Sequence, residues 1–205
     1  MVRDKEETKM RIVAAVGRQL AQAGFRDLGV NSIAKEAGVD KVLIYRYFGG
    51  LPELLTAYAH EGDYWPTSAE LIGDPATVKA ESFADWLVYI LAQVQMAIRK
   101  RPITLEILRW EIVDHNELTN QFAEIRTRVS NECVTFINQQ YPFPPELDVA
   151  ALSTLILSGI VYIILRTDKN PNYLGMDFST EDGWNRINKL AVSIIYQVTN
   201  CQSLN

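Results

Sequence analysis

Residues 24–55, GFRDLGVNSIAKEAGVDKVLIYRYFGGLPELL, decide the fold. Ile33, Ala34 and Ala37 give a helix over 30–37 one packed face, with side chains small enough for a second helix to cross closely. Gly38-Val39 then forms a tight turn, because glycine takes the left-handed backbone that a side chain resists. Val39, Leu43, Ile44 and Phe48 supply the packed face of the next helix, over 40–47. Two short helices about such a turn make a helix-turn-helix, whose second member enters the major groove of DNA. With Val39 and Ile44 turned inward, Lys41, Val42, Tyr45 and Arg46 project outward. Two turns of helix allow only three or four side chains to reach base edges.

Helical periodicity continues on both sides. Ile12, Val13, Val16, Leu20 and Phe25 trace an apolar face for a helix over 6–23, which Gly24 ends. Gly49-Gly50 breaks the chain, and Pro52 opens a fourth helix at a position where its missing N–H costs nothing. Further helices are expected over 78–100, 102–113, 117–140, 147–167 and 180–200. Gly73-Asp74-Pro75, Tyr141 to Pro145 and the 170–179 segment NPNYLGMDFS separate some of them. No strand alternation stands out. The expected fold is all-α, about nine helices, with an N-terminal three-helix reading domain over 1–50. A helical domain over 51–205 follows it.

The chain has 205 residues and a net charge of −5, which alone argues against a nucleic-acid partner. The distribution reverses that reading. Residues 1–50 hold nine Lys and Arg against six Asp and Glu, and the remainder eleven against nineteen. A basic head on an acidic body suits DNA contact, although scattered surface charge also produces such an asymmetry. No run of about 18 uninterrupted apolar residues occurs, so no membrane span is expected. The charged start MVRDKEETKM lacks an apolar signal region, and Cys133 and Cys201 have no paired spacing. A cytoplasmic setting fits these features.

Residues 10–55 resemble the DNA-binding domain of TetR-family transcriptional regulators. The resemblance rests on Ile12 to Ala15, Ala23-Gly24-Phe25, Val30, Ile33-Ala34, Ala37-Gly38-Val39, Ile44-Tyr45, Tyr47-Phe48 and Leu54-Leu55. It implies DNA contacts on Asn31, Ser32, Lys41, Val42, Tyr45, Arg46 and Tyr47. Arg3 and Lys5 are placed to add backbone contacts. Lys41 is the best base reader, since an amine donates to guanine O6 and N7, and Val42 suits a thymine methyl. Three positions depart from the family pattern. Val42-Leu43 stands where Gly-Thr or Gly-Ser is usual. Gly29-Val30 stands where a Ser or Thr is usual, and Leu51 replaces a lysine that holds a phosphate.

Such readers pair on palindromic half-sites about 34 Å apart, so a homodimer on double-stranded operator DNA is expected. The 147–167 helix is apolar almost all round and must bury two sides, against its own core and against a partner, or within a monomeric body. By resemblance the last two helices form the dimer interface, with Leu155, Gly159, Tyr162, Trp184, Ile187, Ala191, Ile194 and Val198 as candidates. The family also encloses a small-molecule inducer among the middle helices. Trp86, Tyr89, Gln93, Trp110 and Phe122 are the candidate lining, although aromatics at helical spacing equally make plain core.

An enzyme is not expected. Glu111, Asp114 and His115 are the only candidate constellation, without a second ligand at metal spacing or a nucleophile motif. No cofactor or metal is called for. The expectation is a ligand-responsive transcriptional regulator, most naturally a repressor. A protein-interaction module of the same fold with weakened DNA binding is the alternative that Leu51 keeps open.

Overall fold

A computed structural model describes residues 2–201, without the side chains of Val2, Arg3, Arg26, Asn200 and Cys201. Among the described residues the chain is helical almost throughout. Its helices are α1 (Val2–Ala23), α2 (Val30–Ala37), α3 (Val42–Phe48), α4 (Leu51–Glu61), α5 (Ser68–Ile72), α6 (Phe83–Lys100), α7 (Pro102–Val113), α8 (Glu117–Gln140), α9 (Val149–Thr167) and α10 (Glu181–Cys201). A single 3-10 turn covers Phe25–Asp27. The all-α expectation holds, with ten helices rather than about nine. The addition is α5, a five-residue piece too short to carry a legible period.

The 170–179 segment differs from the loop expected there. It holds a small antiparallel hairpin, β1 (Asn172–Tyr173) and β2 (Met176–Asp177), with Asn172 opposite Asp177 and Tyr173 opposite Met176. Leu174 and Gly175 form its two-residue tip, both at positive φ, as the tight hairpin turns require. Two-residue strands show no alternation, which is why the sequence gives no sign of them.

The chain packs as two compact units. One comprises Met1–Thr67 and Lys100–Ser130, and the other Ser68–Arg99 and Asn131–Asn205. The packing therefore does not divide near residue 50: α4, α7 and the first half of α8 belong with the reading helices.

In the first unit Ile12, Val16, Leu20, Ile33, Ile44 and Leu54 are fully buried, so α1, α2, α3 and α4 share one core. Burial of this kind is the dominant favourable term in folding. An Arg18–Glu36 ion pair at 2.6 Å ties α1 to α2. Gly17 lets α1 approach α4, since a Cβ there would lie 3.2 Å from the Tyr58 hydroxyl. Burial, and then the charge of Asp63, push the Tyr58 phenol well above its ordinary range, so it stays neutral. Deeper in this unit the Tyr64 hydroxyl donates to the Phe122 carbonyl at 3.1 Å.

In the second unit Ala84, Leu87, Leu91 and Ile195 form a core that Val88, Leu152, Ile156, Leu157 and Tyr196 flank. Asp148 caps α9 by accepting from the Ala151 N–H at 2.8 Å. By length and composition α9 is apolar enough to cross a membrane, although Ser, Thr and Gly interrupt its run, and 22% of that window is buried within the chain. Most of its apolar residues are buried or half-buried, while Leu155 and Tyr162 stay exposed.

Candidate nucleic-acid interface and cavities

Two caps set the angle of the reading helix. Gly38 ends α2 at φ 64°, ψ 40°, in the left-handed region. The Val39 N–H then bonds back to the Ala34 carbonyl at 3.0 Å, closing the last turn in the manner of a Schellman motif. Asp40 starts the next helix by accepting from the Val42 N–H at 2.9 Å. Ile44 is fully buried beneath the turn. The opposite face is open: Lys41 and Arg46 are exposed, as are Val42 at 61% and Tyr45 at 54%. Exposed valine and tyrosine one turn apart, flanked by two cations, can contact base methyls, donate hydrogen bonds and neutralise phosphate.

The remaining candidates take other positions. Tyr47 is half-buried, with the Lys5 ammonium 5.7 Å from its ring centre. Lys5 belongs to α1 itself and not to a separate arm, and the Arg3 side chain lies outside the described residues. Asn31 is exposed at the start of α2. Ser32 is engaged locally: its hydroxyl accepts from the Gly29 N–H at 3.0 Å and donates to the Gly29 carbonyl at 2.9 Å. It supplies the returning half of a capping box whose other half Gly29, having no side chain, cannot make. Leu51 is half-buried at the first turn of α4, where Glu53 adds a negative charge.

The five candidate ligand residues fall in different units. Trp110 and Phe122 belong to the first, with ring centres 6.4 Å apart. Phe122 is fully buried. Trp110 stacks on Phe25 and lines an open groove of about 450 Å³ with Leu51, Leu55, Leu118 and Gln121. Trp86, Tyr89 and Gln93 belong to the second unit. Trp86 is buried edge-on between Tyr89 and Phe136, at 5.7 and 5.0 Å. Tyr89 and Gln93 are half-buried.

A second cavity, of about 80 Å³, lies among α6, α9 and α10 and includes Gln95, Ile160, Asn188 and Ala191. Gln95 interrupts the buried stripe of Leu87, Leu91, Val94 and Ile98. That polar break was visible in the sequence.

The candidate pairing residues separate by exposure. Leu155, Tyr162 and Ile194 are exposed at 75%, 54% and 37%, and Gly159 is exposed beside them. Ile187, Ala191 and Val198 are half-buried. Trp184 is spent inside its own unit: it is buried, donates from Nε1 to the Phe178 carbonyl at 2.9 Å, and has the Arg99 guanidinium 4.7 Å above its ring. Leu190, 58% exposed and not among the candidates, stands on the outer face of α10 instead. The hairpin borders the same face of α9, with Tyr173 edge-on to Tyr162 and the Arg166 guanidinium over Tyr173.

The Glu111, Asp114 and His115 group assembles no catalytic geometry. Glu111 holds Arg126 through both oxygens at 2.6 and 2.5 Å. Asp114 accepts from the Trp110 indole and the Asn116 amide, and His115 is exposed. Among the described residues no cluster of His, Cys, Asp or Glu fits a metal ion.

Residues 12–58 match the family model for bacterial regulatory proteins of the tetR family. An uncharacterized HTH-type transcriptional regulator of Mycobacterium tuberculosis is 24% identical over 135 residues, 66% of this chain and 64% of that protein. The match thus spans under two thirds of that relative's length. Among solved structures, the fatty acid degradation regulator FadR of Bacillus halodurans is similar with a TM-score of 0.65 at 19% identity, covering 90% of this chain and 94% of that one. FadR of Bacillus subtilis, solved in complex with stearoyl-CoA, gives 0.63 at 18% over 93% and 97%. A TetR-family regulator of Haemophilus influenzae gives 0.62 at 19%, again over 93% and 97%.

Proposed function

For a chain that belongs to the TetR family of DNA-binding transcriptional regulators, we propose that it is a repressor: a homodimer that holds a palindromic operator and leaves it when a small molecule binds. The observation that carries the DNA-reading part is the open face of α3, where Lys41, Val42, Tyr45 and Arg46 stand on a helix whose angle Gly38 and Asp40 fix. Lys41 is the base reader in this proposal. Val42 packs on a thymine methyl, and Tyr45, Arg46 and Tyr47 hold phosphates. Asn31 adds a contact from the start of α2.

Pairing is supported by the apolar surface of the second unit. Leu155, Gly159 and Tyr162 on α9 share a helix face, and Leu190 and Ile194 lie on the outer face of α10. An exposed stripe of this kind marks an association surface. A second copy covers it in the simplest two-fold arrangement, which also supplies the second reading helix. This arrangement accounts for the apolar surface of α9 without a membrane and places the regulator's work with the DNA in the bacterial cytoplasm.

Release requires an inducer that binds the DNA-free state more tightly than the DNA-bound one. The fold neighbour solved with stearoyl-CoA makes acyl thioesters the first inducer class to assay. The competing reading is a protein-interaction module that has lost DNA binding. It is supported by Leu51 and Glu53 at the start of α4, where a cation would hold a phosphate.

The deciding experiment is fluorescence anisotropy with duplex DNA from upstream of the protein's own gene. Affinity should fall steeply with salt, Lys41→Ala should reduce the sequence-specific part, and Tyr45→Ala should weaken operator and unrelated DNA alike. A weak, flat salt response in the unaltered protein overturns the regulator reading in favour of the interaction module.

A further inference from the structure

The cavity among α6, α9 and α10 shares no residue with the aromatic set described above. Its walls are aliphatic, from Val88, Leu91, Ile160 and Ala191, with only Gln95 and Asn188 polar. Gln95 is 5% exposed, and its Nε2 has no hydrogen-bond partner. An amide donor buried without a partner is costly, and leucine would continue the stripe of Leu87, Leu91, Val94 and Ile98 without that cost. The donor is therefore best explained by something that enters the cavity and accepts from it.

We propose that this cavity binds a small neutral molecule with one carbonyl acceptor on a short aliphatic body: a ketone, ester or amide. The acceptor takes the Gln95 Nε2–H, and the aliphatic part packs on Leu91 and Ile160. Charge is excluded by the lining, which holds no Lys, Arg or His, so a carboxylate would be buried unpaired. Size follows from the volume. A cavity of about 80 Å³ holds only a small body of a few heavy atoms and excludes a long acyl chain. Ile156 and Ile160 of α9 and Asn188 and Ala191 of α10 line the cavity, while Leu155, Gly159, Leu190 and Ile194 point outward from the same two helices. A guest thus seats on the inner side of the proposed pairing surface. The regulatory meaning of the site rests on the ligand-responsive reading above; its existence does not.

The test uses the full-length protein and three probes: 2-butanone, butyrate ion and xenon. Titration with 2-butanone should shift the Gln95 side-chain amide and the Ile160 methyl NMR signals saturably, and butyrate should not. Gln95→Leu should weaken 2-butanone binding about ten-fold while keeping xenon binding. Ala191→Leu, which fills the cavity and leaves the amide in place, should abolish both; it serves as the second variant should Gln95→Leu fold poorly. Xenon binding without 2-butanone binding, or equal 2-butanone affinity in Gln95→Leu, overturns the proposal, as does binding of neither probe, which leaves water as the partner of the amide. Anisotropy on operator DNA is measured separately. Saturable 2-butanone binding that leaves DNA affinity unchanged supports the site and counts against the responsive reading. DNA release by an acyl thioester in a protein that does not bind 2-butanone does the reverse.

Discussion

Phe25 lies flat on Trp110, with ring centres 3.7 Å apart and planes 25° from parallel. Phe25 sits in the turn between α1 and α2, and Trp110 lies near the end of α7. This stack fastens the turn that leads into α2 to a helix 85 residues further along the chain. Stacked aromatic pairs contribute roughly 0.5–1.5 kcal/mol beyond their area burial. Trp110→Ala should therefore destabilise the first unit by about 2–3 kcal/mol, less than a fully buried tryptophan would cost because the ring also faces the groove. Trp110→Phe should keep most of the loss at bay. Urea unfolding followed by circular dichroism reads both.

On the open face of α3, base and phosphate contacts predict different signatures. Lys41→Ala should cost about 1–3 kcal/mol on the operator and far less on unrelated DNA, since a base contact carries the specificity. Arg46→Ala should weaken both DNAs alike and lower the salt slope by about one. Identical losses on both DNAs for the two variants would remove Lys41 as the base reader.

Leu51 occupies the first turn of α4. Leu51→Lys should tighten DNA binding several-fold at low salt and steepen the salt dependence by about one phosphate, because the new ammonium releases a further counterion. An unchanged slope would mean that the start of α4 does not approach the backbone.

Charges placed on the exposed apolar stripe should separate a dimer without unfolding its subunits. Leu155→Glu combined with Ile194→Glu alters side chains that are 75% and 37% exposed, so the helical content should stay unchanged. Light scattering should report a halved mass, and operator affinity should drop sharply as the two heads lose their linkage. A mass unaffected by the double substitution places the dimer interface elsewhere.

Asp85 and Tyr196 join α6 to α10 by a hydrogen bond, with the phenol donating to Oδ1. Burial opposes ionisation of Asp85, but hydrogen bonds from Tyr196 and Ser82, together with the Glu81 and Ser82 amides, outweigh it and hold the carboxyl below its ordinary value. A carboxyl depressed in the folded state lends stability above its unfolded pKa, near 3.9, and that stability fades as pH falls through the lower folded value. Tyr196→Phe should therefore cost roughly 1 kcal/mol at most at pH 7, given the solvent screening of a half-buried pair. The difference from the unaltered protein should shrink as pH falls through the lowered folded value. A difference that does not change with pH would assign it to packing instead.

The reading motif was legible because it is local. Gly38, Ile44, the alternation of packed and projecting side chains, and Gly49-Gly50 all act within a few residues, and the two helices formed where those signals placed them. Long amphipathic helices such as α6 and α8 were equally plain, since their period repeats over many turns. The five-residue α5 and the two-residue strands were not, being shorter than the window in which a period is expressed.

The candidate ligand set shows the limit most directly. All five residues sit on helices the sequence located well, yet Trp110 and Phe122 belong to the unit that holds the reading helices and Trp86, Tyr89 and Gln93 to the other. Periodicity tells which side of a helix is buried, and not against what. Trp184 and Leu190 make the same point on α10, one turned inward to the Phe178 carbonyl and the other outward. By itself the sequence determined the all-helical class, the helix-turn-helix and its outward side chains, because turn chemistry and amphipathic period are properties of neighbouring residues. The tertiary structure alone decided which aromatic meets which, and that Gln95 faces a cavity with its donor unpaired. Those outcomes depend on contacts between segments far apart in the chain.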